Sequence, residues 1–297
     1  MDTITLKQLR YFEALAREAH FGRAADACAI SQPALSVQIK ELEISLGLAL
    51  FERGPRHVRL TAFGEEFGQR AQTILRAVDE LGDLARAATA GLGGRLRIGI
   101  IPTIAPYLLP RLIADLARRH PDLDIHIRET VTSRLIAELQ AGKIDTAILA
   151  LPISDPSLTE IDLFTEDLVL IRPIGDRDLP APDQAALRDM RLLLLEEGHC
   201  FRDQTLSFCN LGGSRPREGL DGTSLSTLVQ MVGAGIGVTL IPEMAIDVET
   251  KAAPVHIARF QKPRPTRTVG MVWRKSNPLA DQLTQLSGIV RACAAPT

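Results

Sequence analysis

Residues 21–47, which read FGRAADACAISQPALSVQIKELEISLG, predict two short helices joined by a tight turn. Apolar residues recur at helical spacing in two stripes, a small one followed by a larger one: Ala24, Ala25 and Cys28, then Leu35, Ile39 and Leu42. Ser31 can cap the second helix, and Pro33 falls in its first turn, where a missing N–H costs little. This arrangement is typical of a helix-turn-helix.

The second predicted helix carries side chains of the types that read base edges in the major groove. The candidate DNA-binding residues at its start are Ser31, Gln32, Pro33, Ser36 and Lys40. The next stretch, FERGPRHVRLT at 51–61, fits a β-wing that contacts phosphates. Its basic residues are Arg53, Arg56, His57 and Arg59, opposed only by Glu52. Because residues 1–64 hold eight basic and seven acidic residues, a small helical domain with a charged, solvated surface remains an alternative.

The composition limits the classes of protein that this chain can be. Its 297 residues suggest two or three domains, and 45% hydrophobic with 24% charged residues is typical of a globular protein. The net charge of −2 excludes a protein that coats nucleic acid over its whole surface, so any DNA binding must use a local patch. The apolar runs are far shorter than the roughly 20 residues of a membrane span, and the charged start does not fit a signal peptide. We therefore expect a cytoplasmic protein without membrane contact.

Residues 61–91 predict one long helix that begins at Thr61. Its apolar residues alternate steps of four and three, which is the heptad pattern of a helix that pairs with another helix. They are Phe67, Ala71, Ile74, Val78, Leu81, Ala85 and Ala88. Gly91, Gly93 and Gly94 then predict a hinge.

From Leu96 onward the pattern alternates between strands and helices. Strands are predicted at 95–100, 124–128, 146–149, 168–171, 192–195 and 238–241, and helices at 107–119, 133–141 and 224–234. Alternation of this kind indicates an α/β domain with largely parallel sheets. The chain as a whole is therefore expected to be α+β.

Residues 192–210, LLLLEEGHCFRDQTLSFCN, hold two of the four cysteines. Cys200 follows a predicted strand and begins a predicted helix, with His199 and Arg202 as candidate cations that favour its thiolate. Cys209 lies nine positions later and could resolve an oxidised Cys200. If the segment is helical, the two α-carbons are about 13.5 Å apart, whereas a disulfide needs them within about 7 Å. Oxidation would then require the helix to unwind.

The alternative for these two cysteines is that both are small buried hydrophobic residues. Their spacing argues against a zinc site or a thioredoxin-like catalyst. We therefore expect no metal and no cofactor.

The N-terminal motif resembles the signature of the LysR-type transcriptional regulators. The matching residues are Phe12, Phe21, Ala24, Ala25, the SQPALS stretch at 31–36, Ile39, Leu42, Glu43, Leu46, Gly47, Leu50, Phe51 and Arg53. GAGIGVTLIP at 233–242 is a second hallmark, and the resemblance covers essentially the whole chain. One departure is Val37, where family members often carry arginine, which places a DNA contact there in doubt.

This resemblance implies a winged helix-turn-helix at 1–60, a linker helix that dimerises at 61–91, and a regulatory domain at 92–297. The regulatory domain would have two subdomains like those of periplasmic binding proteins. The first would comprise about 92–163 and 268–297, and the second about 164–267.

Two further motifs, GHCxRDQxxxFC and IPTIAPYLLP at 101–110, are similar to the redox segment and the first strand–helix turn of the members of this family that sense hydrogen peroxide. The resemblance implies that Cys200 reacts with peroxide and Cys209 resolves it. It also implies that His199, Thr103 and Thr132 hold the peroxide and that Arg267 stabilises the thiolate. The simpler interpretations are that the threonines cap helices, His199 is a core residue and Arg267 is a solvated surface charge.

The expected function is a transcriptional regulator, not an enzyme, that binds promoter DNA and is switched by a reversible Cys200–Cys209 disulfide. The resemblance implies a homotetramer, contact with RNA polymerase, hydrogen peroxide as the signal and a glutathione or glutaredoxin system as the reductant. Two alternatives remain at this point. The chain could respond to a metabolite bound between the subdomains, or it could be a two-cysteine thiol peroxidase.

Overall fold

A computed structural model of the chain describes residues 4–54, 58–87, 92–180, 182–183, 186–209, 221–262 and 264–295. The chain divides into two compact units, residues 1–85 and residues 86–297, and each is described by itself. The first unit is mainly helical and the second combines helices with strands. The predicted α+β class, with an N-terminal helix-turn-helix and a C-terminal α/β domain, is confirmed.

The N-terminal unit is a helix-turn-helix followed by a two-stranded wing. Its elements are α1 (Leu6–Glu18), α2 (Phe21–Ala27), α3 (Gln32–Leu46), β1 (Phe51–Arg53), β2 (Val58–Leu60) and α4 (Ala62–Ala87). The Ser31 hydroxyl accepts from the Ala34 N–H at 3.4 Å, and Pro33 lies in the first turn of α3, as predicted. The helix ends at Gly47, whose φ of 69° is in the left-handed region that favours glycine.

The wing is attached to the helices by two polar side chains. The Glu43 carboxylate on α3 accepts from the backbone N–H groups of Leu50 at 2.9 Å and Phe51 at 3.2 Å. Thr61 donates to the Ala49 carbonyl at 2.8 Å and accepts from a backbone N–H of the first turn of α4 at 2.9 Å. These bonds fix the strand β1 and the start of α4 against the end of α3.

The predicted heptad stripe of α4 serves two different surfaces. Its first two members, Phe67 and Ala71, pack in the core of the N-terminal unit, where the Phe67 ring meets the Phe12 ring edge-on at 5.0 Å. Ile74 and Leu81 are exposed. Pairing of this exposed part with another helix stays a prediction. The predicted hinge residue Gly91 and the last heptad residue Ala88 lie outside the described residues.

In the described part of the C-terminal unit, seven strands form one sheet in the order β10-β6-β11-β5-β3-β4, with β9 paired to β6. The strands are β3 (Gly94–Ile100), β4 (Leu123–Glu129), β5 (Thr146–Leu151), β6 (Leu158–Pro173), β7 (Leu194–Leu195), β8 (Asp221–Gly222), β9 (Thr239–Pro242), β10 (Val255–Ala258) and β11 (Thr266–Arg274). The α-helices are α5 (Ala105–Arg119), α6 (Thr132–Gln140), α7 (Cys200–Phe208), α8 (Leu225–Gly233), α9 (Ile246–Glu249) and α10 (Ala280–Ala294).

The prediction of largely parallel sheets is wrong. Strand β3 is parallel to β4 and β5, but β6 pairs antiparallel with β9, β10 and β11, and β11 pairs antiparallel with β5. The long strand β6 pairs with β11 along its first half and with β9 and β10 along its second half. Strand direction was not predictable because a buried strand has the same apolar pattern whether its neighbour is parallel or antiparallel.

Two hydrophobic cores lie along this sheet. The first takes its residues from 92–163 and 269–290, and the second from 168–260. Strand β6 contributes to both, so it connects the two cores directly. Within the described residues, no helix has both the length and the apolar character that a membrane crossing requires.

The Glu43 anchor can be tested by replacing it with alanine. Glu43→Ala leaves the Leu50 and Phe51 N–H groups without this acceptor, so we expect the free energy of unfolding to fall by about 1–3 kcal/mol. Urea unfolding of the purified protein measures this. The matched control is Glu41→Ala, because Glu41 is exposed and accepts from Gln38 within the same helix. Equal stabilities of the two variants would contradict the anchor.

Candidate functional site

A narrow cleft, too tight here to admit a water-sized sphere, lies at the N-terminus of α7. Its lining residues come from three separate parts of the chain: Ile101, Pro102, Thr103, Val131, Thr132, His199, Cys200 and Phe201. Four of the predicted site residues, Thr103, Thr132, His199 and Cys200, are therefore brought together. Thr103 follows β3, Thr132 begins α6, and the other two lie where the chain enters α7.

Cys200 is half-buried and is the first residue of α7. The chain reaches it through Gly198, whose φ of 97° is in the region that favours glycine. His199 is then extended and forms the N-cap position of the helix. This turn places the sulfur at a helix N-terminus, where the partial positive charge of the backbone stabilises an anion.

His199 is half-buried and lines the same cleft. Burial lowers the pKa of its imidazole from the ordinary value, and the nearby Glu196 carboxylate partly offsets that effect. A neutral imidazole is therefore favoured at pH 7. It has one donor and one acceptor nitrogen, so it can both give and receive a hydrogen bond.

The two threonines do not act as helix caps. Thr103 is only 3% exposed, and its hydroxyl accepts from Arg267 Nη1 at 2.9 Å. The Thr132 hydroxyl oxygen is buried and has no hydrogen-bond partner among the described residues. A buried hydroxyl without a partner is unusual in a folded protein, because the lost hydrogen bond costs free energy. Thr132 therefore offers an unused donor and acceptor to anything that enters the cleft.

Arg267 is a buried charge and not a solvated one. Its side chain is 0% exposed, and Arg267 Nε donates to Glu166 Oε1 at 2.8 Å. Its other two nitrogens donate to the Thr103 hydroxyl and to the Thr103 carbonyl, both at 2.9 Å. The guanidinium lies over the face of the Phe201 ring, 5.4 Å from its centroid. Arg267 thus supports the cleft from behind Thr103 and contacts the first turn of α7.

Arg202, predicted to stabilise the Cys200 thiolate, bonds other groups in the structure, and that role stays a prediction. Its Nη1 donates to the Leu195 carbonyl and to Asp221 Oδ1, both at 2.7 Å. It is not one of the described residues that line the cleft. Its guanidinium instead bridges the two strands of the short β7–β8 pair.

Cys209 follows the last turn of α7 and is fully buried in the second core. Burial raises the pKa of its thiol to about 11, against a smaller lowering by Arg188. Cys200, by contrast, packs against the first core. Both cysteines are free and are not at disulfide distance. The predicted helix between them is confirmed. An ideal helix of this length separates the two α-carbons by about 13.5 Å.

A second, wider cavity of about 350 Å³ shares Pro102, Thr103, Val131 and His199 with the cleft. At its wall, the buried Glu249 carboxylate accepts from the Tyr107 hydroxyl at 2.7 Å and from the Ser226 hydroxyl at 2.5 Å. Burial is also the main cause of the raised pKa of Tyr107. The sequence does not predict the hydrogen-bonded group of Tyr107, Ser226 and Glu249. Tyr107 and Glu249 are 142 positions apart, and no motif connects them.

The candidate DNA-binding residues of α3 are largely exposed. Gln32, Pro33 and Lys40 are exposed, Ser36 is half-buried, and the Ser31 hydroxyl serves as the helix cap. Val37 is 52% exposed on the same helix.

In the wing, Arg59 is exposed and pairs across the strands with Glu52. Arg53 is the last residue of β1. Arg56 and His57 lie outside the described residues.

Within the described ranges, no group of three or more His, Cys, Asp or Glu side chains is placed to hold a metal.

Two family profiles cover nearly the whole chain. Residues 6–65 match the profile described as "Bacterial regulatory helix-turn-helix protein, lysR family". Residues 89–294 match the profile described as "LysR substrate binding domain".

Curated relatives of similar length match along the same range. The DNA-binding transcriptional dual regulator OxyR of Escherichia coli K12 is 40% identical over 294 residues, which is 97% of this chain and 95% of the relative. A probable hydrogen peroxide-inducible genes activator of Mycobacterium avium is 40% identical over 292 residues, 96% of this chain and 93% of the relative.

Solved structures of similar fold match the chain over the same range. Full-length OxyR of Pseudomonas aeruginosa with a cysteine-to-aspartate substitution has a TM-score of 0.78 and 38% identity, covering 99% of this chain and 97% of that chain. A cysteine-to-serine mutant of Corynebacterium glutamicum OxyR with bound H2O2 has a TM-score of 0.67 and 37% identity. The match covers 97% of this chain and 92% of that chain. With both of its units matched by the profiles and by full-length relatives, the chain belongs to the LysR family of bacterial transcriptional regulators, whose helix-turn-helix implies binding to DNA.

Proposed function

We propose that this regulator senses hydrogen peroxide through a reversible disulfide between Cys200 and Cys209 and transmits the change to promoter DNA. The observation that carries the proposal is the placement of the two thiols at opposite ends of α7. One faces a narrow cleft, and the other is buried in a different core. The likeness to hydrogen peroxide-inducible activators supports the choice of oxidant.

In the first step, the Cys200 thiolate attacks one oxygen of the peroxide, and the O–O bond breaks. Cys200 becomes a sulfenic acid, and the other oxygen leaves as hydroxide, which takes up a proton to form water. The Thr103 and Thr132 hydroxyls and the His199 imidazole line the same narrow cleft as Cys200, which must widen to admit the peroxide. Since each of these groups can donate and accept, together they can orient a small molecule that has two O–H groups.

In the second step, the Cys209 sulfur attacks the sulfenic sulfur. An S–S bond forms, the S–O bond breaks, and a second water leaves. Two thiols and one peroxide thus give one disulfide and two waters. Because burial holds the pKa of Cys209 at about 11, this thiol stays protonated and unreactive in the helical state. It reacts only after α7 opens.

Disulfide formation requires a change of shape. The α-carbons must move from about 13.5 Å to within about 7 Å of each other, which the helix α7 does not allow. Unwinding it withdraws Phe201 from the Arg267 guanidinium and Cys209 from the second core. Repacking of these contacts in the oligomer would re-space the DNA-binding pairs.

The remaining assignments follow from the same proposal. Residues 1–60 bind double-stranded promoter DNA, residues 61–91 dimerise, and residues 92–297 form the two-part sensor. The exposed apolar part of α4, with Ile74 and Leu81, supports pairing with a second copy, and the assembly is a homotetramer. RNA polymerase is the partner at the promoter, and a glutathione or glutaredoxin system in the cytoplasm reduces the disulfide. The protein is a stoichiometric sensor and not a peroxidase, because Cys209 is withheld until the helix opens.

The cavity of about 350 Å³ favours a second candidate, a regulator that responds to a bound metabolite. Its volume is that of a small-ligand site.

The two candidate functions predict different behaviour of a variant with both Cys200→Ser and Cys209→Ser. We expect this variant to lose its transcriptional response to oxidant in a reporter assay, whereas a metabolite-responsive regulator would keep its response.

The disulfide can be tested by peptide mass spectrometry of the reduced protein after one equivalent of hydrogen peroxide. We expect a loss of two hydrogens that maps to a Cys200–Cys209 bridge. Cys200→Ser must abolish it. Cys293→Ser is the matched control, since Cys293 is another half-buried thiol and lies on α10. Two free thiols after treatment of the wild-type protein would refute the switch.

The DNA interface can be tested by fluorescence anisotropy with an operator selected from a random-sequence library. Arg59→Ala should weaken binding to all sequences alike and reduce the slope of log Kd against log salt concentration by about 1, because it removes one phosphate contact. Gln32→Ala should cost about 1–3 kcal/mol and relax the preference at one base pair. Arg95→Ala, an exposed arginine of the C-terminal unit, is the control and should change neither quantity. Uniform weakening by Gln32→Ala would argue against base readout.

A further inference from the structure

The buried pair of Arg267 and Glu166 lies behind the cleft and takes no part in the two chemical steps above. The two residues are direct cross-strand neighbours on β11 and β6, and their side chains are 0% and 8% exposed. Burying a charged guanidinium away from water is strongly unfavourable unless a carboxylate and hydrogen bonds compensate the charge. Glu166 is the carboxylate that makes this buried position possible for Arg267.

The Glu166 carboxylate is held at both of its oxygens. Oε1 accepts from Arg267 Nε at 2.8 Å, and Oε2 accepts from the Met244 backbone N–H at 2.9 Å. The two donors belong to different segments, β11 and the turn that leads into α9. With both oxygens engaged, the carboxylate has one orientation, and it imposes one orientation on the guanidinium.

The guanidinium in turn sets the direction of the Thr103 hydroxyl. Arg267 Nη2 donates to the Thr103 carbonyl and Nη1 donates to the Thr103 hydroxyl oxygen. Arginine has donors only, so the threonine hydroxyl is the acceptor in this bond. Its own hydrogen must therefore point to another acceptor, and Thr103 lines the cleft at Cys200.

We propose that Glu166 is a positioning residue for peroxide reduction: by locking Arg267, it makes the Thr103 hydroxyl a hydrogen-bond donor to the oxygen that leaves when the O–O bond breaks. This inference rests on the peroxide-sensing function proposed above. In Glu166→Gln, the amide can accept from either Arg267 or Met244, but its NH2 group faces the other donor. The guanidinium then loses its fixed orientation, and Thr103 is free to turn away from the cleft.

The test compares two reactions of Cys200 in the full-length reduced protein. One is oxidation by hydrogen peroxide, in which a departing oxygen needs a donor. The other is alkylation by iodoacetamide, in which iodide leaves and needs none. A change in folding or in thiolate content alters both rate constants together. A change in the ratio of the peroxide rate constant to the iodoacetamide rate constant therefore reports the loss of the hydrogen-bond donor.

We expect Glu166→Gln to lower the second-order rate constant with peroxide by about tenfold or more, the usual effect of a lost hydrogen bond in a charged network. The rate constant with iodoacetamide should stay within about twofold. Thr103→Val should lower the peroxide rate similarly, and the double variant should be no slower than Thr103→Val alone, because both changes remove the same donor. The matched control is Asp167→Asn, the next residue on β6, whose carboxylate pairs with the more exposed Arg264. It should leave both rates unchanged.

Three results would overturn the inference. They are a peroxide rate of Glu166→Gln within twofold of wild type, an equal fall of both rates, and additive effects in the double variant. If Glu166→Gln does not fold, Glu166→Asp decides, because it keeps the charge but is too short to reach both donors. We expect Glu166→Asp to fold and to lose peroxide reactivity selectively. Wild-type protein that does not react with peroxide would instead refute the proposed function itself.

Discussion

Helix α7 is the physical constraint on which the proposed disulfide switch depends. Nine residues of helix keep Cys200 and Cys209 about 13.5 Å apart and anchor them in different cores. A loop of the same length would let the thiols meet by diffusion, and oxidation would then change little else. Because the helix keeps the two thiols apart, the proposed oxidation would have to spend free energy on unwinding it. In the proposed switch, a chemical event at one sulfur atom would thereby be coupled to the packing of both cores.

Strand β6 connects the parts that this change affects. Its first half pairs with β11, and its second half pairs with β9 and β10. Glu166 lies near the middle of β6 and bonds both Arg267 and the backbone of Met244. Since Arg267 also contacts Thr103 and Phe201, the cleft and the first turn of α7 are tied to the centre of the sheet. Because Cys200 packs against the first core while Phe201 and Cys209 lie in the second, unwinding of α7 would change contacts in both cores.

In the N-terminal unit, short-range features of the sequence were sufficient to predict a helix but not its tertiary contacts. Ser31, Pro33 and the stripe of Leu35, Ile39 and Leu42 were enough to predict α3, because capping and periodicity act over a few residues. The role of Glu43 was not visible in this way. Its carboxylate binds the N–H groups of Leu50 and Phe51, and that contact exists only once the wing has folded back onto the helix.

The sequence by itself determined the helix-turn-helix and the helical segment between the two cysteines, through capping and helical spacing. The candidate residues Thr103, Thr132, His199 and Cys200 came from the resemblance of two motifs to peroxide-sensing members of the family. Only the tertiary structure decided that β6 and β11 run antiparallel, that Arg202 bonds Asp221 away from the cleft, and that Arg267 meets Glu166, 101 positions earlier in the chain. The reason is that spacing and capping depend on neighbours within one or two turns of helix. The partner of a buried charge, in contrast, is selected by the packing of strands that are far apart in sequence.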